Sequence, residues 1–285
     1  MAERDVAVRA HGVVHLGKGN AGESRRDEVV VEEPLELRLA GDTIAVTMRT
    51  PGNDRELALG FLLSEGVIAS LADVGSVAHC GIVGEPGYGN VIDVRPGPGV
   101  ALAAPGELAR RGTLITAACG VCGRASIDDL LARCVPLPGP RPIARRVLVE
   151  AVAALARNQP HFERTGGLHA ALVVNAQCHV LAAAEDVGRH NAVDKVVGAL
   201  LLAGARSVNS SADRQAAVLA VTGRVSFEIV QKAVVAKIGA VCGISAPTSL
   251  AIELAERCGV TLAAFVREHS LNLYAHPEAV LDGGA

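Results

Sequence analysis

The sequence predicts an α/β protein in two parts, and three observations carry that expectation. From residue 170 to residue 265 the apolar pattern reads strand, strand, helix, strand, helix, strand, helix, strand. That order produces a largely parallel sheet with right-handed crossovers. Half of the 285 residues are hydrophobic while only 2% are aromatic, so the core is filled by Ala, Val, Leu and Ile. With 31 glycines, this composition suits close packing of helices on a sheet.

Taken in order, residues 1 to about 28 are charged and glycine-containing without a sustained period, and a partly ordered lead-in is expected. A small α+β domain is expected over 29–142. Leu35, Leu37 and Leu39 alternate with Glu36 and Arg38, Ala40-Gly41-Asp42 forms a turn, and a second strand follows over 43–48. Asn53 with Glu56 has the form of a capping box ahead of a helix carrying Leu57, Leu59, Leu62 and Leu63, and Gly66 stops it. Strands are expected over 74–78 and 91–94, a short one over 114–116, and a short helix over 126–134.

A second domain is expected over 143–285. It begins with an apolar helix over 147–157, then strands 170–174 and 180–183 joined by Asn175-Ala176-Gln177. Helix 189–202, strand 216–221, helix 226–238, strand 240–244, helix 248–258 and strand 260–265 complete it.

A net charge of −3 gives no general attraction to nucleic acid or to an anionic membrane. No apolar run reaches the roughly 18 to 20 residues needed to cross a bilayer. The charged N-terminus does not read as a signal peptide. Seven cysteines without a disulfide framework, in a chain of this size, point to free thiols in a reducing, cytoplasmic setting. Cys80, Cys134, Cys178, Cys242 and Cys258 read as small core residues.

The remaining two cysteines, Cys119 and Cys122, form a Cys-x-x-Cys pair among glycines and small residues. Such a pair is a redox dithiol, half of a zinc site, or a reactive thiol that carries a group. A zinc ribbon lacks its second pair. A zinc deaminase needs His-x-Glu ahead of Pro-Cys-x-x-Cys; here Ala118 precedes Cys119, and His161-Phe162-Glu163 follows the cysteines. The second half of the chain has no part in a thioredoxin mechanism, whereas a carrier thiol uses both halves, delivering to an acceptor bound nearby.

In an open α/β sheet ligands bind outside the carboxyl ends of the strands. There the sequence places Asp186, Gly188, Arg189 and His190, then Thr222, Gly223, Arg224 and Ser226, with Ser245-Ala246-Pro247 and the segment that opens with Thr165 and ends with His169. Glycine or serine at a strand–helix junction is more often a cap than a ligand contact. Arginines, glycines and helix N–H groups together on one rim suit a polyanion.

Between Glu32 and Glu278 these segments resemble the formate dehydrogenase accessory sulfurtransferase family. The resemblance rests on Glu33-Pro34-Leu35, on 47–52 (Thr-Met-Arg-Thr-Pro-Gly), on 56–62 (Glu-Leu-Ala-Leu-Gly-Phe-Leu) and on Cys119-Gly120-Val121-Cys122-Gly123. It continues through 165–171 (Thr-Gly-Gly-Leu-His-Ala-Ala), 185–195 (Glu-Asp-Val-Gly-Arg-His-Asn-Ala-Val-Asp-Lys), Gly223-Arg224, Ser226-Phe227-Glu228, Ser245-Ala246-Pro247 and Leu250-Ala251.

The resemblance implies a persulfide on Cys119, loaded by a cysteine desulfurase, with Cys122 as an assisting thiol. The sulfur passes to the molybdenum of the bis(molybdopterin guanine dinucleotide) cofactor that formate dehydrogenase requires. It implies a cytidine-deaminase-like second domain with a mixed, mostly parallel sheet, a homodimer, no zinc, and GDP as a mimic of the nucleotide. The family's cofactor segment falls on Phe265, Val266, Arg267, Glu268, His269 and Ser270, where the usual Pro-Gly and terminal Arg are replaced by Glu-His-Ser. A zinc-dependent deaminase-like hydrolase and a non-catalytic cofactor chaperone are the alternatives.

Overall fold

The computed structural model describes residues 5–17, 22–81, 87–102, 115–116, 134–204 and 215–282. The chain opens with strands β1 (Val8–His15) and β2 (Glu23–Val30), an antiparallel pair. The partly ordered lead-in expected over residues 1–28 therefore contains a regular hairpin. Both of its faces are largely exposed, so it carries no alternation of apolar and polar residues to betray it. Arg164 anchors it, with Nε and Nη2 donating to the Glu28 carboxylate at 2.8 and 2.7 Å.

Strands β3 (Glu33–Leu39) and β4 (Asp42–Arg49) form the expected hairpin. Ala40 and Gly41 at its tip have φ of 53° and 94°. Two positive φ angles in succession make the turn whose twist matches that of paired strands. Helix α1 (Asp54–Ser64) follows as expected, though not by the expected cap: Asn53 is left-handed at φ 55° and its side chain caps nothing. Asp54 instead accepts from Arg49 Nε at 3.0 Å and Nη2 at 3.1 Å. Strands β5 (Val74–His79), β6 (Val91–Pro96) and β7 (Ile115–Thr116) complete a sheet in the order β5-β6-β3-β4-β7. Residues 126–133 of the expected short helix lie outside the described residues.

A short strand β8 (Ile143–Ala144) leads into α2 (Arg145–Arg157), then α3 (Pro160–Thr165), β9 (His169–Val174) and β10 (Val180–Asp186). Next come α4 (Arg189–Leu202), β11 (Val218–Val221), α5 (Phe227–Val235), β12 (Ala240–Gly243), α6 (Ser249–Cys258) and β13 (Thr261–Ala264). Strand β14 (Asn272–Ala275) and β15 (Val280–Leu281), which pairs with β8, close the chain.

The large sheet runs β10-β9-β11-β12-β13-β14. Only its β11-β12-β13 centre is parallel; β9, β10 and β14 are antiparallel to their neighbours. The expectation of a mostly parallel sheet is corrected to that extent. The reason is connection length: short links join β9 to β10 and β13 to β14, and a parallel pair needs a dozen residues or more.

Side chains alternate across this sheet. Leu172, Val174, Val218 and Ala220 meet Leu148, Ala151 and Leu155 of α2 on one face. Ala171, Val173, Leu219 and Val221 face α4, α5 and α6 on the other. That second cluster continues without a break through α1 to Leu35, Leu37 and Ile92 of the smaller sheet. The join is α1 against α4, packed antiparallel with Gly60 opposite Asp194 and Gly198 opposite Glu56. A Cβ on either glycine would fall on the carbonyl of the facing helix. The absence of side chains lets the two backbones touch.

Candidate functional site

Because β11, β12 and β13 are parallel, their carboxyl ends and the segments after them share one edge. Antiparallel β9 begins there, and β10 ends there, with Asp186 opposite His169. The topology thus gathers Asp186, Gly188, Arg189 and His190 with Thr222, Gly223, Arg224 and Ser226, and extends the edge to 265–270. Four strand spacings separate its ends, about 19 Å.

The residues on this edge divide by what their polar atoms already hold. Asp186 is fully buried and its oxygens are engaged inside the protein. Oδ2 accepts from the Thr50 N–H at 3.1 Å and pairs with Lys195 Nζ at 2.8 Å. Oδ1 accepts from the Gly188 N–H at 2.8 Å and from Asn191 Nδ2 at 2.9 Å. Lys195 also donates to the Thr50 carbonyl at 2.8 Å. Asp186 is therefore a buckle between the smaller sheet and the start of α4 and has no oxygen left over for a ligand. Thr222 is likewise committed, its hydroxyl accepting from the Ala170 N–H at 2.9 Å.

His190 and Ser226 are tied across the gap between α4 and α5. His190 Nε2 lies 2.7 Å from Glu228 Oε2 and 3.2 Å from Ser226 Oγ. Deeper in, Lys232 Nζ pairs with Asp194 Oδ1 at 2.6 Å, and the Ser64 hydroxyl donates to the same oxygen at 3.0 Å. Burial pushes the Asp194 carboxyl up, with Lys232 and Ser64 opposing. Burial also pushes the His169 imidazole below its usual range, helped by Arg189 and His190 and opposed by Asp186. Arg224 is exposed.

His169, Arg189, His190, Asp194, Glu228 and Lys232 form one wall of a cavity of about 300 Å³ between β4, α1 and the first turns of α4 and α5. The opposite wall is apolar and includes Val46, Met48 and Phe61. Asn191 clamps the two walls, its Nδ2 donating to the Met48 carbonyl at 2.7 Å.

The 265–270 segment curls on itself beyond β13. Phe265 is exposed at φ 51°, and Val266 is buried in the core on the α2 side. Arg267 turns back, its Nη1 donating to the Ile244 carbonyl at 2.9 Å and the Val266 carbonyl at 2.8 Å. Its N–H donates to the Ser270 carbonyl at 2.7 Å, while Glu268 and His269 are exposed, and Arg145 donates to the His269 carbonyl at 3.1 Å.

Cys119 and Cys122 lie outside the described residues. The strand that leads to them does not: β7 pairs in parallel with β4, Thr116 opposite Val46, and Val46 lines the cavity. Sequence reasoning passed over Thr50, Asn191, Glu228 and Lys232 as site-building groups. Thr50, Asn191 and Glu228 fall in segments singled out for their motifs and Lys232 lies one helical turn beyond one, but the role of each depends on partners elsewhere in the chain.

A model of the FdhD/NarQ family matches residues 30–281, a span that takes in the rim, the cavity walls and both cysteines of the pair. The chain belongs to this family. Among its relatives is the sulfur carrier protein FdhD of Anaeromyxobacter dehalogenans strain 2CP-1, 54% identical over 276 residues that cover 96% of each chain. The sulfur carrier protein FdhD of Mycolicibacterium paratuberculosis is 44% identical over 272 residues, 94% of this chain and 97% of that one. The same fold is seen in a crystal structure from Desulfotalea psychrophila, of a protein described as a formate dehydrogenase accessory protein. It superposes with a TM-score of 0.73 at 24% identity, covering 96% of this chain and all of the other.

Proposed function

We propose that this protein is a sulfurtransferase that accepts persulfide sulfur on Cys119 from a cysteine desulfurase and delivers it to a molybdenum cofactor. The acceptor is bis(molybdopterin guanine dinucleotide), bound as substrate along the rim, and the enzyme served is formate dehydrogenase. Membership of the FdhD/NarQ family and the naming of its relatives as sulfur carriers support the chemistry. The observation that carries the reading to this chain is the register of β7 on β4. Thr116 sits against a wall of the cavity, and Cys119 follows three residues later. Three residues span at most about 11 Å, which bounds the chain length between Thr116 and the Cys119 thiol.

Loading is an exchange without net oxidation. The Cys119 thiolate attacks the terminal sulfur of the desulfurase persulfide, a new sulfur–sulfur bond forms, and the old one breaks. The desulfurase cysteine leaves as a thiolate and takes up the proton that Cys119 gave. Cys122 assists by the same chemistry, and both thiols act free of zinc. The rim residues and the 265–270 segment hold the guanine dinucleotide, for which GDP is a mimic. Within this reading the second half of the chain is a deaminase-like scaffold, the protein is a homodimer, and it works in the cytoplasm.

The test is direct. Wild type and Cys119→Ala are incubated with a cysteine desulfurase and L-cysteine, digested, and examined by mass spectrometry. The wild-type peptide bearing Cys119 gains the mass of one sulfur atom, lost again on reduction. A wild-type peptide that stays unmodified while another cysteine is loaded removes Cys119 from the reading.

A further inference from the structure

Three buried cations are neutralised inside the chain: Arg49 by Asp54, Lys195 by Asp186 and Lys232 by Asp194. Arg189 is treated differently. Its Nε is shielded from solvent and has no hydrogen-bond partner, a state shared among the described residues only with the Thr261 hydroxyl. No carboxylate of the described residues pairs with it, and Asp186, three residues before it, is spent on Lys195, Thr50, Gly188 and Asn191. A half-buried guanidinium whose Nε is shielded and unpartnered, with no counter-ion among the described residues, marks a place where a counter-ion can arrive from outside.

The surroundings are shaped for such an arrival. Gly223 lies under the Arg189 side chain: a Cβ there would stand 3.2 Å from Arg189 Cδ and 3.5 Å from His169 Nδ1. The bare backbone lets the Arg189 side-chain stem and the imidazole approach the same point. Arg189 also opens α4, a helix of 14 residues, whose first-turn N–H groups face outward as in any helix N-terminus. Guanidinium, imidazole and helix N-terminus make three donors of different direction, which suits a tetrahedral oxyanion better than a flat carboxylate.

We infer that Arg189 and His169, brought together over Gly223, form a subsite for one phosphoryl group of the bound ligand. The inference deepens the nucleotide reading above and rests on it. A cavity of about 300 Å³ is at the small end of ligand pockets. It encloses a fragment of a dinucleotide, with the remainder extending along the rim. The subsite separates the roles of the two rim arginines: sheltered Arg189 contacts the phosphoryl group, while Arg224 is exposed.

The experiment titrates full-length wild type, Arg189→Gln and Gly223→Ala with GDP, with guanosine and with inorganic pyrophosphate by calorimetry, after thermal melts have shown that each variant folds. In wild type GDP binds more tightly than guanosine. Arg189→Gln lowers GDP affinity by about tenfold to a hundredfold, the worth of a charge-assisted contact, and leaves guanosine affinity where it was. Gly223→Ala, which displaces the Arg189 side chain without removing its charge, lowers GDP affinity in the same direction. If Arg189→Gln retains the full advantage of GDP over guanosine, the subsite is wrong and the nucleotide reading stands. If wild type binds neither GDP nor guanosine, the nucleotide reading fails, and pyrophosphate decides the subsite. Saturable pyrophosphate binding that Arg189→Gln abolishes supports the phosphoryl assignment, and no such binding overturns it.

Discussion

Gly198 of α4 lies against the backbone carbonyl of Glu56 on α1, so closely that a Cβ would stand 2.7 Å from the Glu56 carbonyl carbon. Gly60 repeats the contact in the other direction, 2.6 Å from the carbonyl carbon of Asp194. The clash is with backbone on both sides, so no side chain can swing aside to relieve it. Gly198→Ala forces the helices apart and is expected to cost about 1–3 kcal/mol or more, measured as a lower urea midpoint. The loss should be shared by Gly60→Ala. An unchanged midpoint in both variants would show that the helices separate freely.

Asp186→Asn keeps the shape of the buckle and removes its charge. Lys195, with 2% of its side chain exposed, is then left as an unpaired cation. Breaking one side of a buried pair costs about 3–5 kcal/mol, so the variant should unfold at markedly lower urea. The double variant Asp186→Asn, Lys195→Met should recover part of that loss, because it removes the stranded charge.

Lys232→Met should show a pH-dependent loss. Burial raises the folded Asp194 pKa above the unfolded value of about 3.9. The folded state therefore favours the protonated acid, and stability from this group is full below the unfolded pKa and falls as pH rises through the folded one. Removing Lys232 takes away the main opposing charge and raises the folded pKa further. The gap between variant and wild type should be small near pH 4 and widen toward neutrality. Urea titrations at several pH values check this, and a constant gap would contradict it.

His169 links ligand affinity to pH. In the free protein burial, Arg189 and His190 hold its pKa below the ordinary 6.5. An anion bound between His169 and Arg189 favours the imidazolium and raises that pKa, so binding takes up a proton. The groups facing it are Arg189 and His190 from α4 and Asp186 from β10. The ligand phosphate titrates in the same range, so the informative quantity is the ratio of wild-type to His169→Gln affinity for GDP. That ratio should rise as pH falls from about 7.5 to about 5.5.

Much of this frame was legible residue by residue. Helix 189–202 falls where its apolar pattern and glycine-led start place it, and the Ala40-Gly41 turn follows from its residues. The β1–β2 hairpin was not legible, because Arg25, Arg26, Asp27 and Glu28 face solvent whichever way they point. Strand β14 was missed because it is short and follows an irregular loop. At the site, the sequence placed these residues at strand–helix junctions but treated their polar groups alike. That Asp186 is spent on Thr50 and Lys195 while Arg189 Nε has no partner among the described residues follows from contacts up to 136 residues apart. Local pattern carries no record of such pairings.

The central claim is that sulfur passes through Cys119 to the cofactor of formate dehydrogenase. Its most direct test loads the protein with radiolabelled sulfur from labelled cysteine and a desulfurase, removes both, and adds inactive formate dehydrogenase carrying its molybdenum cofactor. The account predicts that label leaves the Cys119 peptide and appears in the cofactor as activity rises, with neither change in Cys119→Ala. Activity that rises while the label stays on the protein, or that rises equally with Cys119→Ala, would contradict it.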